Sequence, residues 1–170
     1  MLPEPGQRLR VLFCGINPSL LSAATGHHFA RPGNRFWPTL HRSGFTPRQL
    51  RPAEQHLLAD LGIGITNIAD RPTARADELS RDELVAGGRQ LVSLVRSLRP
   101  GRLAVVGVTA YRVAFAEPRA AIGPQDRTIG DTRIWVLPNP SGLNAHFPPV
   151  RLAAEFAELR DEVERADLRG

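Results

Sequence analysis

The amino-acid sequence predicts an α/β fold, a three-layer sandwich in which a small, mainly parallel sheet of about four or five strands is flanked by helices. Short apolar runs bounded by Gly or Pro alternate with stretches of helical periodicity. Uninterrupted apolar strands are typical of parallel sheets that are covered on both faces. A chain of 170 residues suits one hydrophobic core, so we expect a single domain spanning residues 1–170.

The individual elements follow from these patterns. The apolar runs predict strands at 8–15, 63–66, 102–107 and 133–138. The helical stretches lie at 34–43, 52–61, 81–98, 109–116 and 149–167. The third is the clearest, because Ser80 and Glu83 have the spacing of a capping box and apolar residues then recur at helical intervals. Pro100 and Gly101 end it.

Two long segments, 15–33 and 138–149, are rich in Gly, Ser, His, Asn and Pro, and each follows a predicted strand. We expect both to be loops. In open α/β sheets, ligands bind outside the carboxyl ends of the strands. These two segments are therefore the candidates for a functional site.

The charge pattern favours a polyanionic partner. The formal net charge is +5, while residues 151–170 hold four Arg and six acidic residues, so the rest of the chain is strongly basic. The sequence contains no lysine, and so no side-chain amine is present to form a Schiff base. Without a signal peptide or an apolar run of membrane-spanning length, we expect a cytoplasmic protein.

Composition also argues against bound metals and cofactors. A single cysteine, Cys14, cannot form an internal disulfide or supply a four-thiolate metal or iron–sulfur site, and its apolar strand predicts a packing role. His27 and His28 are adjacent, and neighbouring residues rarely share one ion, so we expect no metal site. Glycine-rich dinucleotide and phosphate-binding loops are absent, so we expect no cofactor.

Some loop residues have both structural and functional interpretations. Asn17 before Pro18 can end a strand by a turn or present an amide at the sheet edge. Phe29 can anchor its loop on the core or stack on a planar ligand. Asp70 can form a turn or pair with the neighbouring arginine. Leu143, in a polar loop, can be tucked inward or form the exposed apolar tip with which proteins separate stacked bases.

Five segments together carry a family resemblance. In order, they are GINPSL, GHHFARPGNRFW, GITNIADRPT, ELVAGGRQLV and VLPNPSGL. Their order and spacing resemble those of the mismatch-specific uracil/thymine-DNA glycosylases, a family of the uracil-DNA glycosylase superfamily, over residues 9–160. The resemblance implies a monofunctional enzyme that flips uracil, or alternatively thymine or ethenocytosine, out of double-stranded DNA opposite guanine. It would hydrolyse the N-glycosidic bond, initiating base excision repair.

The resemblance also implies roles for individual residues. Asn17 would position the attacking water, with Asp70 as a second catalytic candidate. The backbone at Ile16 and the side chain of Asn67 would contact the base edge, and Phe29 would stack on the base. Asn67 replaces a lysine found in some members, which leaves the preferred base open.

Further residues would contact the DNA strands. Leu143 would be the wedge that fills the vacated stack, with Gly142 and Asn144 beside the widowed guanine and Ser141 at a backbone phosphate. The usual arginine after the wedge is missing, so His146 or another arginine would replace it. We expect a monomer that has no membrane partner and is nucleoid-associated when it acts on DNA. Two other functions remain open: a non-catalytic module of this fold that binds damaged or abasic DNA, and a small-molecule α/β enzyme.

Overall fold

A computed structural model describes all residues 1–170. Five strands form one sheet in the order β2-β1-β3-β5-β4. The strands are β1 (Val11–Gly15), β2 (Ile63–Asn67), β3 (Arg102–Val106), β4 (Gly123–Ile129) and β5 (Thr132–Leu137). All neighbouring pairs are parallel except β4 and β5, which are antiparallel. The predicted fold class, a mainly parallel sheet in an α/β protein, is confirmed.

Helices flank this sheet. The α-helices are α1 (Leu20–Thr25), α2 (Phe36–Arg42), α3 (Arg81–Leu98), α4 (Val108–Ala114) and α5 (Pro149–Arg169), and 3₁₀ helices span Pro52–Leu61 and Ala76–Glu78. The capping box predicted for the third helix is present, since the Ser80 hydroxyl accepts a hydrogen bond from the Glu83 amide at 3.1 Å. None of the helices is both long and apolar enough to cross a membrane.

Three elements differ from the sequence prediction. The 15–33 segment is not all loop, because a two-turn helix, α1, begins after Ser19, whose side chain caps it. The 52–61 segment is a 3₁₀ helix rather than an α-helix. Strand β4, which pairs with β5 alone, has no apolar run because only its two end residues are buried.

Two hydrophobic clusters cover the two faces of the sheet. Alternating residues of β1 point to opposite sides: Val11 and Phe13 pack in the cluster that includes α2 and α5, and Leu12 and Cys14 pack in the cluster that includes α3 and α4. Cys14 is fully buried, as its apolar strand predicted, and burial raises the pKa of its thiol.

Two consecutive glycines bring α3 unusually close to its neighbours. A Cβ atom on Gly87 would collide with the carbonyl of Ile68, which directly follows β2, and a Cβ on Gly88 would collide with the carbonyl of Ala114 at the end of α4. Glycine in the middle of a helix costs about 1 kcal/mol relative to alanine. The close approach of backbone to backbone explains why glycine occupies both positions.

Candidate active site

A cavity of about 280 Å³ lies at the carboxyl ends of β1 and β2. Parallel pairing of β1 with β2 places Gly15 opposite Asn67, so the segments that follow both strands emerge side by side. The cavity collects six of the residues selected from the sequence: Ile16, Asn17, Phe29, Asn67, Ser141 and Leu143. The two loops that the sequence indicated therefore meet at one site.

The side chain of Asn17 is held in one orientation. Its Nδ2 donates to the carbonyl of Arg71 at 2.8 Å and to Oγ1 of Thr73 at 2.8 Å. Thr73 is buried, and its hydroxyl donates in turn to the carbonyl of Arg75 at 2.6 Å. The Thr73 amide also bonds the carbonyl of Pro18 at 3.2 Å. With both Nδ2 hydrogens engaged, Oδ1 is the part of the Asn17 amide left to accept a hydrogen bond from a ligand.

Gly15, at the end of β1, packs closely against two residues that line the cavity. A Cβ atom on Gly15 would lie 2.6 Å from Oδ1 of Asn67 and 3.2 Å from Cζ of Phe29. The Phe29 ring stacks on Phe36 with centroids 4.0 Å apart and an interplanar angle of 23°. Phe29 is therefore anchored on the core and also lines the cavity, so its two sequence interpretations are compatible.

His28 contributes a neutral side chain to the cavity wall. Its Nε2 lies 2.7 Å from the amino group of Met1, and its backbone amide donates to the side chain of Gln55 at 2.8 Å. Burial, reinforced by the nearby amino group, lowers the pKa of His28 from 6.5 to about 4. Near neutral pH, His28 therefore offers no positive charge to a ligand.

Asp70, the second catalytic candidate, lies outside the cavity. The amides of Ile68 and Ala69 bond the carbonyls of Gly15 and Ile16, both at 2.9 Å, and the chain then leaves the cavity with Asp70 exposed. Asp70 is absent from the cavity wall.

The ion pairs of this segment also differ from the sequence interpretation. Arg71 pairs with Glu83 at 2.5 Å rather than with its neighbour Asp70. The one carboxylate on the cavity wall is Asp77, which is largely exposed and pairs with Arg75 at 3.0 Å. No carboxylate is therefore placed beside Asn17 to assist it directly.

The 138–148 loop presents Leu143 to solvent. Leu143 is 77% exposed, which excludes the inward-tucked alternative. Hydrogen bonds within the loop shape its tip: the Ser141 amide donates to Oδ1 of Asn139 at 2.9 Å, and the Leu143 amide donates to Oγ of Ser141 at 3.2 Å. Asn144 donates through Nδ2 to the Asn139 carbonyl at 3.0 Å.

Gly142 and Asn144 are the chain neighbours of Leu143, but neither lines the cavity that contains Asn17. Asn144 instead lines a neighbouring cavity of about 450 Å³, which shares Ile16, Ser141 and Leu143 with the first. The exposed leucine thus lies on the boundary between two depressions of the surface.

Sequence reasoning missed Thr73 and Arg35. Thr73 ends the GITNIADRPT segment and orients Asn17, but only the three-dimensional contact reveals this. Arg35 bonds the 138–148 loop from a position more than 100 residues away in the chain.

No group of three or more His, Cys, Asp and Glu side chains is arranged to hold a metal ion.

Comparison with known families agrees with this geometry. Residues 3–163 match the model of the family described as the uracil DNA glycosylase superfamily. The match spans nearly the whole chain, including both loops that build the cavity and the complete sheet. The chain therefore belongs to the uracil-DNA glycosylase superfamily, whose members act on DNA and remove bases from it.

Proposed function

We propose that this chain is a monofunctional, mismatch-specific DNA glycosylase that hydrolyses the N-glycosidic bond of uracil opposite guanine in double-stranded DNA. Thymine and ethenocytosine are the alternative bases. The observation that carries the proposal is the fixed amide of Asn17, bonded to the Arg71 carbonyl and to Thr73, at a cavity that also contains Asn67 and Phe29.

The chemistry of base release suits such an amide. Departure of uracil is largely dissociative, so the enzyme must stabilise a leaving base that becomes anionic and hold a water close to a cationic sugar. Oδ1 of Asn17 accepts a hydrogen bond from that water and orients it. An amide is a poor base, and loss of general-base assistance costs a factor of about 10²–10⁴ in rate. We therefore expect slow turnover, and Asp70 is not part of the proposed reaction.

Three further residues that line the cavity would hold the base. Asn67 presents both a donor and an acceptor, which match the polar edge of a pyrimidine. Phe29 offers an aromatic surface for stacking, and its own position is fixed by Phe36. The backbone at Ile16 lies at the same edge of the sheet. These groups stabilise the extruded base without a metal or a charged histidine.

Leu143 supplies the wedge in this proposal. An extruded base leaves a gap in the duplex, and an exposed apolar side chain beside the base cavity can fill it. Gly142 and Asn144 then lie next to the unpaired guanine, and Ser141 lies at the edge shared by loop and cavity. The net positive charge of the chain supports binding to the DNA backbone.

The absence of lysine supports a monofunctional reaction. Enzymes that also cleave the DNA backbone form a Schiff base with an amine. No lysine side chain is present here, so the product is expected to be an intact strand with an abasic site. Borohydride should trap no covalent adduct between protein and DNA.

The test compares four labelled oligonucleotides: U opposite G, U opposite A, T opposite G, and single-stranded U. After incubation, alkali cleaves any abasic site, and strand scission is measured. We expect most product from U opposite G and none from the Asn17→Ala variant, which should still bind abasic duplex. Binding without base release by the wild-type protein would favour the non-catalytic module. Absence of both would refute the proposal.

A further inference from the structure

Arg35 makes an unusual set of contacts with the 138–148 loop. Its Nη1 donates to the carbonyl of Phe147 at 2.6 Å, and its Nη2 donates to the carbonyls of Ser141 at 2.6 Å and Asn144 at 2.9 Å. Its backbone amide donates to the carbonyl of Pro140 at 2.9 Å. One residue at the start of α2 thus bonds four main-chain carbonyls on both sides of Leu143.

The contacts are of a kind that restricts motion. Hydrogen bonds from a charged donor are shorter and stronger than neutral ones, and the planar guanidinium holds its donors in a fixed fork. The third guanidinium nitrogen, Nε of Arg35, is buried without a partner. Because the two terminal nitrogens are engaged by the loop and Nε is enclosed, Arg35 is poorly placed to contact a DNA phosphate.

A second contact joins the same two segments. A Cβ atom on Gly142 would lie 2.5 Å from the carbonyl of Gly33, so the loop backbone packs directly on the segment that leads into Arg35. Leu143 follows Gly142 and is 77% exposed. The exposed tip is therefore carried on a backbone that is attached at two separate points.

We propose that Arg35 is a positioning residue that holds the 138–148 loop in the conformation from which Leu143 enters duplex DNA. This inference rests on the proposed function and deepens it. An ordered loop does not have to lose conformational entropy when it binds, so Arg35 increases the efficiency of the step in which the wedge is inserted. Phe29 and Arg35 belong to the same segment of the chain. This segment therefore supplies the ring that stacks on the base and also fixes the position of Leu143.

The experiment combines four variants with two measurements. Arg35→Met keeps the length of the side chain but removes its donors, Leu143→Ala removes the wedge, and the double variant joins both changes. Arg96→Met, on the exposed side of α3, is the matched control. The first measurement is kcat/KM on duplex with U opposite G. The second is hydrogen–deuterium exchange of residues 141–147 in the DNA-free protein.

We expect Arg35→Met to lower kcat/KM by about 10- to 100-fold and to accelerate exchange in residues 141–147. The double variant should have a kcat/KM no lower than that of Leu143→Ala alone. Arg96→Met should match the wild type in both measurements. Unchanged exchange and unchanged kcat/KM in Arg35→Met would overturn the inference, as would a double variant whose loss is the product of the two single losses.

Two further arms separate the possible failures. If the wild-type protein releases no base, the proposed function is contradicted. The exchange measurement does not depend on base release, so it tests the anchoring by Arg35 separately. If Arg35→Met does not fold, Arg35→Lys replaces it, because one ammonium cannot span the carbonyls of Ser141, Asn144 and Phe147. Arg35→Lys should show faster exchange than the wild type, and protection equal to the wild type would refute the anchor.

Discussion

Replacing Gly15 by alanine tests the proposed base cavity with a single methyl group. The new Cβ would lie 2.6 Å from Oδ1 of Asn67, where ordinary contacts begin at 3.4 Å, so the amide must move by about 0.8 Å. The ring of Phe29, 3.2 Å away, is fixed by its stack on Phe36 and can give little. A displacement near 1 Å in a catalytic site can cost about 10²-fold in rate. We expect Gly15→Ala to lower kcat/KM on U opposite G by roughly that factor.

The matched control is Gly64→Ala on the adjacent strand. A Cβ there meets the flexible ends of Leu12 and Leu9 at 3.1 and 3.2 Å, away from the cavity. Overpacking destabilises a protein by about 1–3 kcal/mol, so both variants should lower the melting temperature, but only Gly15→Ala should lose base release. It should still bind abasic duplex, since the wedge loop is untouched. Wild-type kcat/KM in a folded Gly15→Ala variant would refute the cavity as the base site.

The remaining predictions concern catalysis, DNA contact and pH. Asn17→Asp should be slower than the wild type in single-turnover assays, because a carboxylate would face the Arg71 carbonyl that Nδ2 now bonds; a faster variant would contradict this geometry. Arg31, exposed on the cavity wall, should contact a phosphate, so Arg31→Gln should reduce the slope of log K for abasic duplex against log salt by about 0.9; an unchanged slope would exclude that contact. Burial, aided by the amino terminus, lowers the pKa of His28 from 6.5 to about 4. The fold therefore favours the neutral ring, and the stability present above pH 6.5 is lost as the pH falls toward 4. His28→Gln should flatten this part of the melting-temperature profile, and a profile identical to that of the wild type would show that other groups cause the loss.

The sequence predicts most strands of the central sheet because a local run of apolar residues marks each of them. Strands β1, β2, β3 and β5 each contain a short, buried and mainly apolar run. Strand β4 has mainly polar, exposed residues in its middle, so no such run marks it. Helix α1 is short and mostly exposed, and only the cap at Ser19 indicates it.

The candidate site is predictable in its position but not in its contacts. Asn17 and Asn67 lie at strand ends, and parallel strands bring their carboxyl ends to one edge, so the sequence alone predicts their proximity. The exposure of Asp70 depends on the direction that the chain takes after Ala69, which backbone hydrogen bonds decide. The contact from Arg35 to the 138–148 loop joins positions more than 100 residues apart, and no local pattern encodes it.

The two glycines of α3 limit how this protein can be made more heat-resistant. Replacing a helical glycine by alanine is a common way to stabilise a protein, because it restricts the unfolded chain and favours the helix. At Gly87 and Gly88 the added methyl would instead push α3 away from Ile68, the residue next to Asn67, and from α4. Either substitution would therefore raise the helix propensity of α3 but distort the cavity at the carboxyl ends of β1 and β2.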